Sequence, residues 1–216
     1  DETGAYDFES LYAIDLPYFY SDLSGLIAGK EIEIPSFDFE TGQRIYRGEK
    51  LQMKKNSILL IEGIHGLNPE LTASIPAHHL FRIYVSALTT LSLDGHNWIP
   101  TSDNRLLRRI VRDYRSRGYS AKATIAMWPR IRRGEDQWIF PYQENADAMF
   151  NSAMIYEFAV LRRFAEPILS EIRGMDAESA EAYRLLRFLR YFNYIPLEEL
   201  PATSLLREFL GGGNFD

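Results

Sequence analysis

The chain has 216 residues, 46% of them apolar, no cysteine and a net charge of −6. That length and apolar content suffice for a buried core, and the absence of cysteine excludes a disulfide framework or a thiolate metal site. No window approaches 18 consecutive apolar residues and no basic stretch leads into an apolar run near residue 1. Neither a membrane span nor a secretory signal is therefore expected, and a cytoplasmic location is the default.

Residues 9–28 read as a helix, with Leu11, Ile14, Leu16, Leu23, Leu26 and Ile27 apolar, Pro17 as a kink or early break, and Gly29 as a stop. Gly25 to Glu31, GLIAGKE, imitates a phosphate loop. It has three residues between its glycines where that loop needs four, Glu31 where Ser or Thr would hold a metal, and a helix before it instead of a strand. Residues 31–53, EIEIPSFDFETGQRIYRGEKLQM, alternate about Thr41-Gly42 and predict a hairpin-like flap.

In ILLIEGIHG, residues 58–66, four aliphatic side chains without alternation predict a strand covered on both faces. HLFRIYVSAL at 79–88 predicts a second strand, with one or two helical turns between them. From Asp103 the period becomes helical, residues 149–154 predict a short third strand, and the rest is mostly helix. Tyr183, Leu186, Phe188, Leu189 and Phe192 make that last region aromatic. Strands separated by helical segments predict an α/β domain with a parallel sheet.

Ligands of such sheets gather at the carboxyl ends of the strands, where Glu62 is expected. It either caps a turn or acts as a Walker-B-like acid, delivering one carboxylate to a nucleotide's Mg²⁺ directly or through water. Mg²⁺ takes one or two carboxylates plus phosphate oxygens, so a single Glu suffices. The glycines at 63 and 66 let backbone approach a ligand. His65 is either structural or close to substrate; His78, His79 and His96 lack a metal-ligand spacing. A Walker-B acid requires a phosphate loop, which this reading expects upstream of residue 1.

Between Arg105 and Arg133 there are nine Arg, one Lys and one acid, a local balance of +9 that leaves −15 for the remainder. An acidic protein with one Arg-dense strip suits a compact anion such as a polyphosphate better than a nucleic acid backbone. In DNRLLRRIVRDYRSRG, Leu106, Leu107, Ile110, Val111 and Tyr114 fall within an arc of about 140°, at roughly 100° per residue. Arg105, Arg108, Arg109, Arg112 and Arg115 crowd the other side, Ser102 or Asp103 can cap the start, and Gly118 can end it. Like charges at helical spacing repel, so an anionic ligand clamped by guanidinium groups explains the strip better than a solvated face. Arg130, Arg132 and Arg133 in RIRRGED form a second lobe of that clamp or a helix terminus. Arg105, Arg108, Arg132 and Arg133 are candidate phosphate ligands.

Tyr6-Asp7-Phe8-Glu9 with Ala13-Ile14-Asp15, the IPSFDF flap, ILLIEGIHGLNP, DNRLLRRIVRDYRSRG and SLLREFLGG together resemble the uridine kinase and phosphoribulokinase group of P-loop kinases. MWPRIRRGE and IFPYQENADAMFNSA resemble its bacterial nucleoside kinase branch, in which the kinase follows domains like the N-terminal part of threonyl-tRNA synthetase. The resemblance implies transfer of the ATP γ-phosphoryl group to a hydroxyl with Mg²⁺. By position it implies that Glu62 serves the metal, that Arg109, Arg112 and Arg117 belong to a phosphate lid, that Asp7 holds sugar hydroxyls, and that the flap at Phe37 covers a nucleoside. Phe37 replaces the tyrosine of uridine-binding members, Gly42 a base-reading histidine, and Tyr119 and Met127 an arginine and a glutamine. These departures argue against uridine and for another nucleoside or small hydroxyl acceptor.

The family's phosphate loop and general-base Asp precede the region that Tyr6-Asp7 matches. The chain thus reads as the C-terminal portion of one kinase domain, inactive alone: an α/β body over 1–173 with flap 31–53 and Arg lid 103–134, and a helical extension over 174–216. An open sheet edge would admit a second copy, whereas a membrane or nucleic acid partner is not expected. The competing reading is a non-catalytic, kinase-like regulator binding an anionic ligand or RNA.

Overall fold

The computed structural model describes residues 7–38 and 43–214. Tyr6, the Thr41-Gly42 turn and the Gly42 position lie outside the described residues. The chain divides into two compact units, one of residues 1–83 and 134–148 and the other of 84–133 and 149–216.

In the first unit, α1 spans Leu16–Ile27. It starts later than the apolar pattern suggests because Asp15 caps it, accepting the Tyr18 N–H at 3.1 Å, and Pro17 lies in the first turn, where a missing N–H costs nothing. Leu11–Ala13 form a separate 3-10 turn, and Gly29, at φ +77°, ends α1. GLIAGKE is therefore the tail of a helix. Leu11, Leu16 and Leu71 form a small core, with Phe19, Tyr20 and Trp138 packed around it.

The flap forms as β1, Glu31–Asp38, paired antiparallel with β2, Gln43–Gln52. Its register slips between Glu33, opposite Lys50, and Pro35, opposite Tyr46. Pro35 has no N–H to offer the ladder there, and Gly48, at φ +77°, turns the longer strand and donates its N–H to Glu33 Oε1 at 3.0 Å.

The parallel sheet is small. β3, Ile83–Ser86, pairs with β4, Ala148–Asn151. The bonds Asp147 N–H to Arg82 O and Ser152 N–H to Ser86 O advance together along both chains, as in parallel pairing. Asn151 prolongs the ladder, its side chain accepting from Leu88 N at 3.0 Å and donating to Leu88 O at 2.8 Å. The aliphatic run before Glu62 is a correction: Ile58–Ile61 belong to no strand, and Ile58 and Leu60 are 94% and 85% exposed. A run of this composition becomes a covered strand only beside neighbours that take its backbone groups. Among the described residues no strand pairs with it.

The second unit is helical. α2 is Thr101–Ser116, α4 Glu157–Ser170, α5 Ala177–Leu189 and α6 Arg207–Leu210; α3, Ala121–Trp138, passes from this unit into the first. Leu106, Leu107, Ile110 and Val111 of α2 are buried against Phe158, Leu161, Leu185 and Leu206, while the fifth expected core residue, Tyr114, is half exposed. Each fully buried leucine contributes about 1.5–3 kcal/mol. Phe158 meets Phe188 edge-on at 5.1 Å and stacks on Phe192 at 5.0 Å. α5 and α6 share this core, so residues beyond 174 pack as part of the second unit. Neither Ser102 nor Asp103 caps α2: Pro100 holds the cap position, and Asp103, inside the first turn, is gripped by Arg184 of α5 at 2.7 and 2.8 Å. Gly118, at φ +70°, follows the end of α2 as expected.

Candidate functional site

Each unit carries part of the predicted site. In the first, the turn after Ile61 brings Glu62, Gly63, Ile64 and His65 to the wall of a cavity of about 270 Å³, opposite Phe8, Ile14 and Phe19. Glu62 is exposed and forms no ion pair among the described residues. His65 is 4% exposed, with its ring edge-on to Trp138 at 6.5 Å. Burial holds His65 below its ordinary pKa, opposed in part by a hydrogen bond to the Ser10 backbone. Among the described residues its buried Nδ1 has no hydrogen-bond partner. Asp7 accepts the Glu9 N–H at 3.1 Å, and Phe37, opposite Arg44 near the end of the flap where β1 leads into β2, is half exposed.

In the second unit the arginines of α2 and of its C-cap, Arg117, differ in their partners. Arg108 is a correction to the phosphate-ligand set. It is buried, donates through Nε and Nη2 to Glu157, and reaches Ser152 Oγ at 3.0 Å and Ser152 O at 2.7 Å. Its donors are taken because Glu157, the first residue of α4, is fully buried and requires a cation. Arg115 caps α6, donating to Phe209 O at 3.1 Å and Glu208 O at 3.2 Å.

Arg109, Arg112 and Arg117 converge on Asp113. Arg109 Nε lies 3.3 Å from Oδ2; Arg112 Nε and Arg117 Nη1 lie 3.2 and 3.4 Å from Oδ1. Asp113 is 1% exposed, and its backbone carbonyl also accepts the Arg117 and Tyr119 N–H groups that finish the helix. The one acid within the strip therefore draws three of its arginines together. The signal lay in the spacing: Asp113 stands four residues from both Arg109 and Arg117, neighbours on one helical face. Arg105 is partly buried in α2; Arg132 and Arg133 lie within α3, which continues to Trp138, so RIRRGED is no helix terminus.

Residues 2–157 match the Phosphoribulokinase / Uridine kinase family. The chain belongs to that family. Among curated relatives of this family member, a uridine kinase of Halobacterium salinarum is 25% identical over 66% of the chain and 55% of its own length. The uridine-cytidine kinase B of Dictyostelium discoideum is 26% identical over 69% and 54%, and a uridine kinase of Staphylococcus aureus 26% over 68% and 63%. The chain thus spans little more than half the length of these relatives. In this member of the phosphoribulokinase and uridine kinase family, the matched span takes in the flap, Glu62, all of α2 and α3, and ends at Glu157. No helix among the described residues is long and apolar enough to cross a membrane.

Proposed function

We propose that this chain is the acceptor-side and lid-bearing part of an ATP-dependent kinase that phosphorylates a hydroxyl of a nucleoside or related small molecule. The observation that carries the reading is the family match, which spans both Glu62 and the Arg109–Arg112–Arg117 cluster. Glu62 fits Mg²⁺: it is one exposed, uncommitted carboxylate on a glycine-containing turn, the donor set of an ion that retains water and shares phosphate oxygens. When bound, Mg²⁺ and ATP supply the transferable phosphoryl group and neutralise its charge.

The roles of this chain's own residues follow. Glu62 holds the metal or its water, and the guanidinium groups on Asp113 meet phosphoryl oxygens. The cavity behind Glu62, walled by Phe8, Ile14 and Phe19, excludes water from the acceptor's apolar side. Asp7 and the flap at Phe37 complete acceptor binding. The phosphate loop belongs to polypeptide outside these residues, so the isolated chain is inactive.

The test is an acceptor screen with the complete protein, nucleosides beside sugar alcohols, with Glu62→Gln as its control. Glu62→Gln is expected to raise the Mg²⁺ requirement or lower turnover by about 10–100-fold. No ATP-dependent phosphorylation of any acceptor would refute the enzyme reading and favour an anion-binding regulator. Turnover by the 216-residue chain alone would refute its division from the phosphate loop.

A further inference from the structure

We infer that Asp113 is a positioning residue for phosphate binding: the buried carboxylate on which Arg109, Arg112 and Arg117 are mounted as one anion-binding surface. The inference rests on the proposed role of these arginines and adds what holds them. Asp113 occupies an unusual place for an acid, 1% exposed on a helix whose polar side is arginine. Its two oxygens divide the work: Oδ2 takes Arg109, and Oδ1 takes both Arg112 and Arg117. The contacts are 3.2–3.4 Å, at the long end for charged partners, as expected of a carboxylate shared three ways.

Arg112 donates its Nε–H to Asp113 Oδ1, whereas Arg109 Nε lies at ion-pair distance from Oδ2 without a hydrogen bond among the described residues. In Arg112 this Nε contact directs the two Nη groups away from Asp113, and that pair is the one with which a guanidinium grips a phosphoryl group in bidentate fashion. One carboxylate cannot neutralise three guanidinium groups, so it orders them without cancelling their field. Holding long side chains in place before the anion arrives removes part of the rotamer entropy that binding would otherwise cost.

This role makes a prediction opposite in sign to simple electrostatics. If Asp113 were only a neighbouring negative charge, Asp113→Asn would tighten anion binding. As a mount, its loss weakens binding, by roughly tenfold for one misplaced charge-assisted hydrogen bond. The experiment titrates the whole chain with inorganic tripolyphosphate by calorimetry, in wild type, Asp113→Asn, Arg112→Ala and the double variant. The expected result is weaker binding in Asp113→Asn, a much smaller effect of that substitution in the Arg112→Ala background, and partial rescue by Asp113→Glu.

Equal or tighter binding by Asp113→Asn overturns the positioning role while leaving the arginine cluster as the anion site. Failure of the wild-type chain to bind tripolyphosphate overturns that reading and this inference with it. Should Asp113→Asn not fold, Asp113→Glu carries the same cycle. A loss of affinity that persists unchanged when Arg112 is alanine then overturns the inference.

Discussion

Glu157→Ala should be among the most damaging single substitutions in the second unit. The Glu157 side chain is fully buried and accepts from Arg108 Nε, Arg108 Nη2 at 2.8 Å, Asn104 Nδ2 at 3.2 Å and Met154 N at 3.1 Å. Removing it strands the Arg108 guanidinium, itself 9% exposed, with no counter-charge, and breaking a buried pair this way costs about 3–5 kcal/mol. At about 2–4 °C per kcal/mol for a chain of this size, Tm should fall by ~6–20 °C. The assays are urea unfolding for the free energy and thermal unfolding for Tm, both followed by far-UV circular dichroism, since α2, α4 and α5 carry the signal. Arg108→Met/Glu157→Leu, which removes both charges, should lose much less than the sum of the single variants, the remainder reflecting the orphaned Ser152 carbonyl and Asn104 amide. A loss under about 1 kcal/mol for Glu157→Ala, or additivity in the cycle, would show that the pair is not what ties α4 to α2.

Three further outcomes are expected. Because His65 has a lowered pKa in the folded chain, the unfolded chain binds more protons between that value and the ordinary one of about 6.5. Its stabilising contribution is therefore complete above that pH and lost on acidification; His65→Phe should flatten the dependence of unfolding free energy on pH, and an unchanged slope would exclude His65 as its source. Under the proposed kinase reading, Arg112→Ala in the complete protein should lower kcat on the order of 10²-fold or more with little change in acceptor affinity, and equal losses in both would count against a lid role. Ile58→Lys/Leu60→Lys should reduce self-association of the isolated chain in sedimentation velocity without lowering Tm, since both side chains are exposed; unchanged association would place the contact elsewhere.

The sequence made some features legible and hid others for physical reasons. The flap could be read because alternation and turn residues are local signals, and the ends of α1 and α2 because Gly29 and Gly118 adopt positive φ. The strand at Ile58–Ile61 misled because periodicity reports what a segment would bury, whereas burial depends on which strands lie beside it. Residues 58–61 have the composition of a central strand and the exposure of an edge without a partner. The start of α1 was misplaced by apolar residues that continue through a 3-10 turn, and capping by Asp15 decided the boundary.

The arginines of α2 show where a helical wheel is informative and where it stops. At roughly 100° per residue, Arg108 and Arg115 stand about 60° and 40° from Val111 and Arg109 about 60° from Leu106, at the margins of the apolar arc, while Arg112 stands about 100° from its nearer edge. Marginal positions lay their stems along the core and bring the guanidinium to whatever acceptor lies beneath. That is what occurs: Arg108 finds Glu157, and Arg115 finds the carbonyls ending α6. The wheel thus flags marginal arginines without deciding their fate, since Arg109, as close to the apolar arc as Arg108, pairs with Asp113 of its own helix. It cannot supply the acceptors, because Glu157 and Phe209 lie 49 and 94 residues further along the chain. Asp113 is the exception, since its partners at four residues on either side are written into the helix itself, and so the one acid in the strip organises the charge it had seemed too sparse to balance.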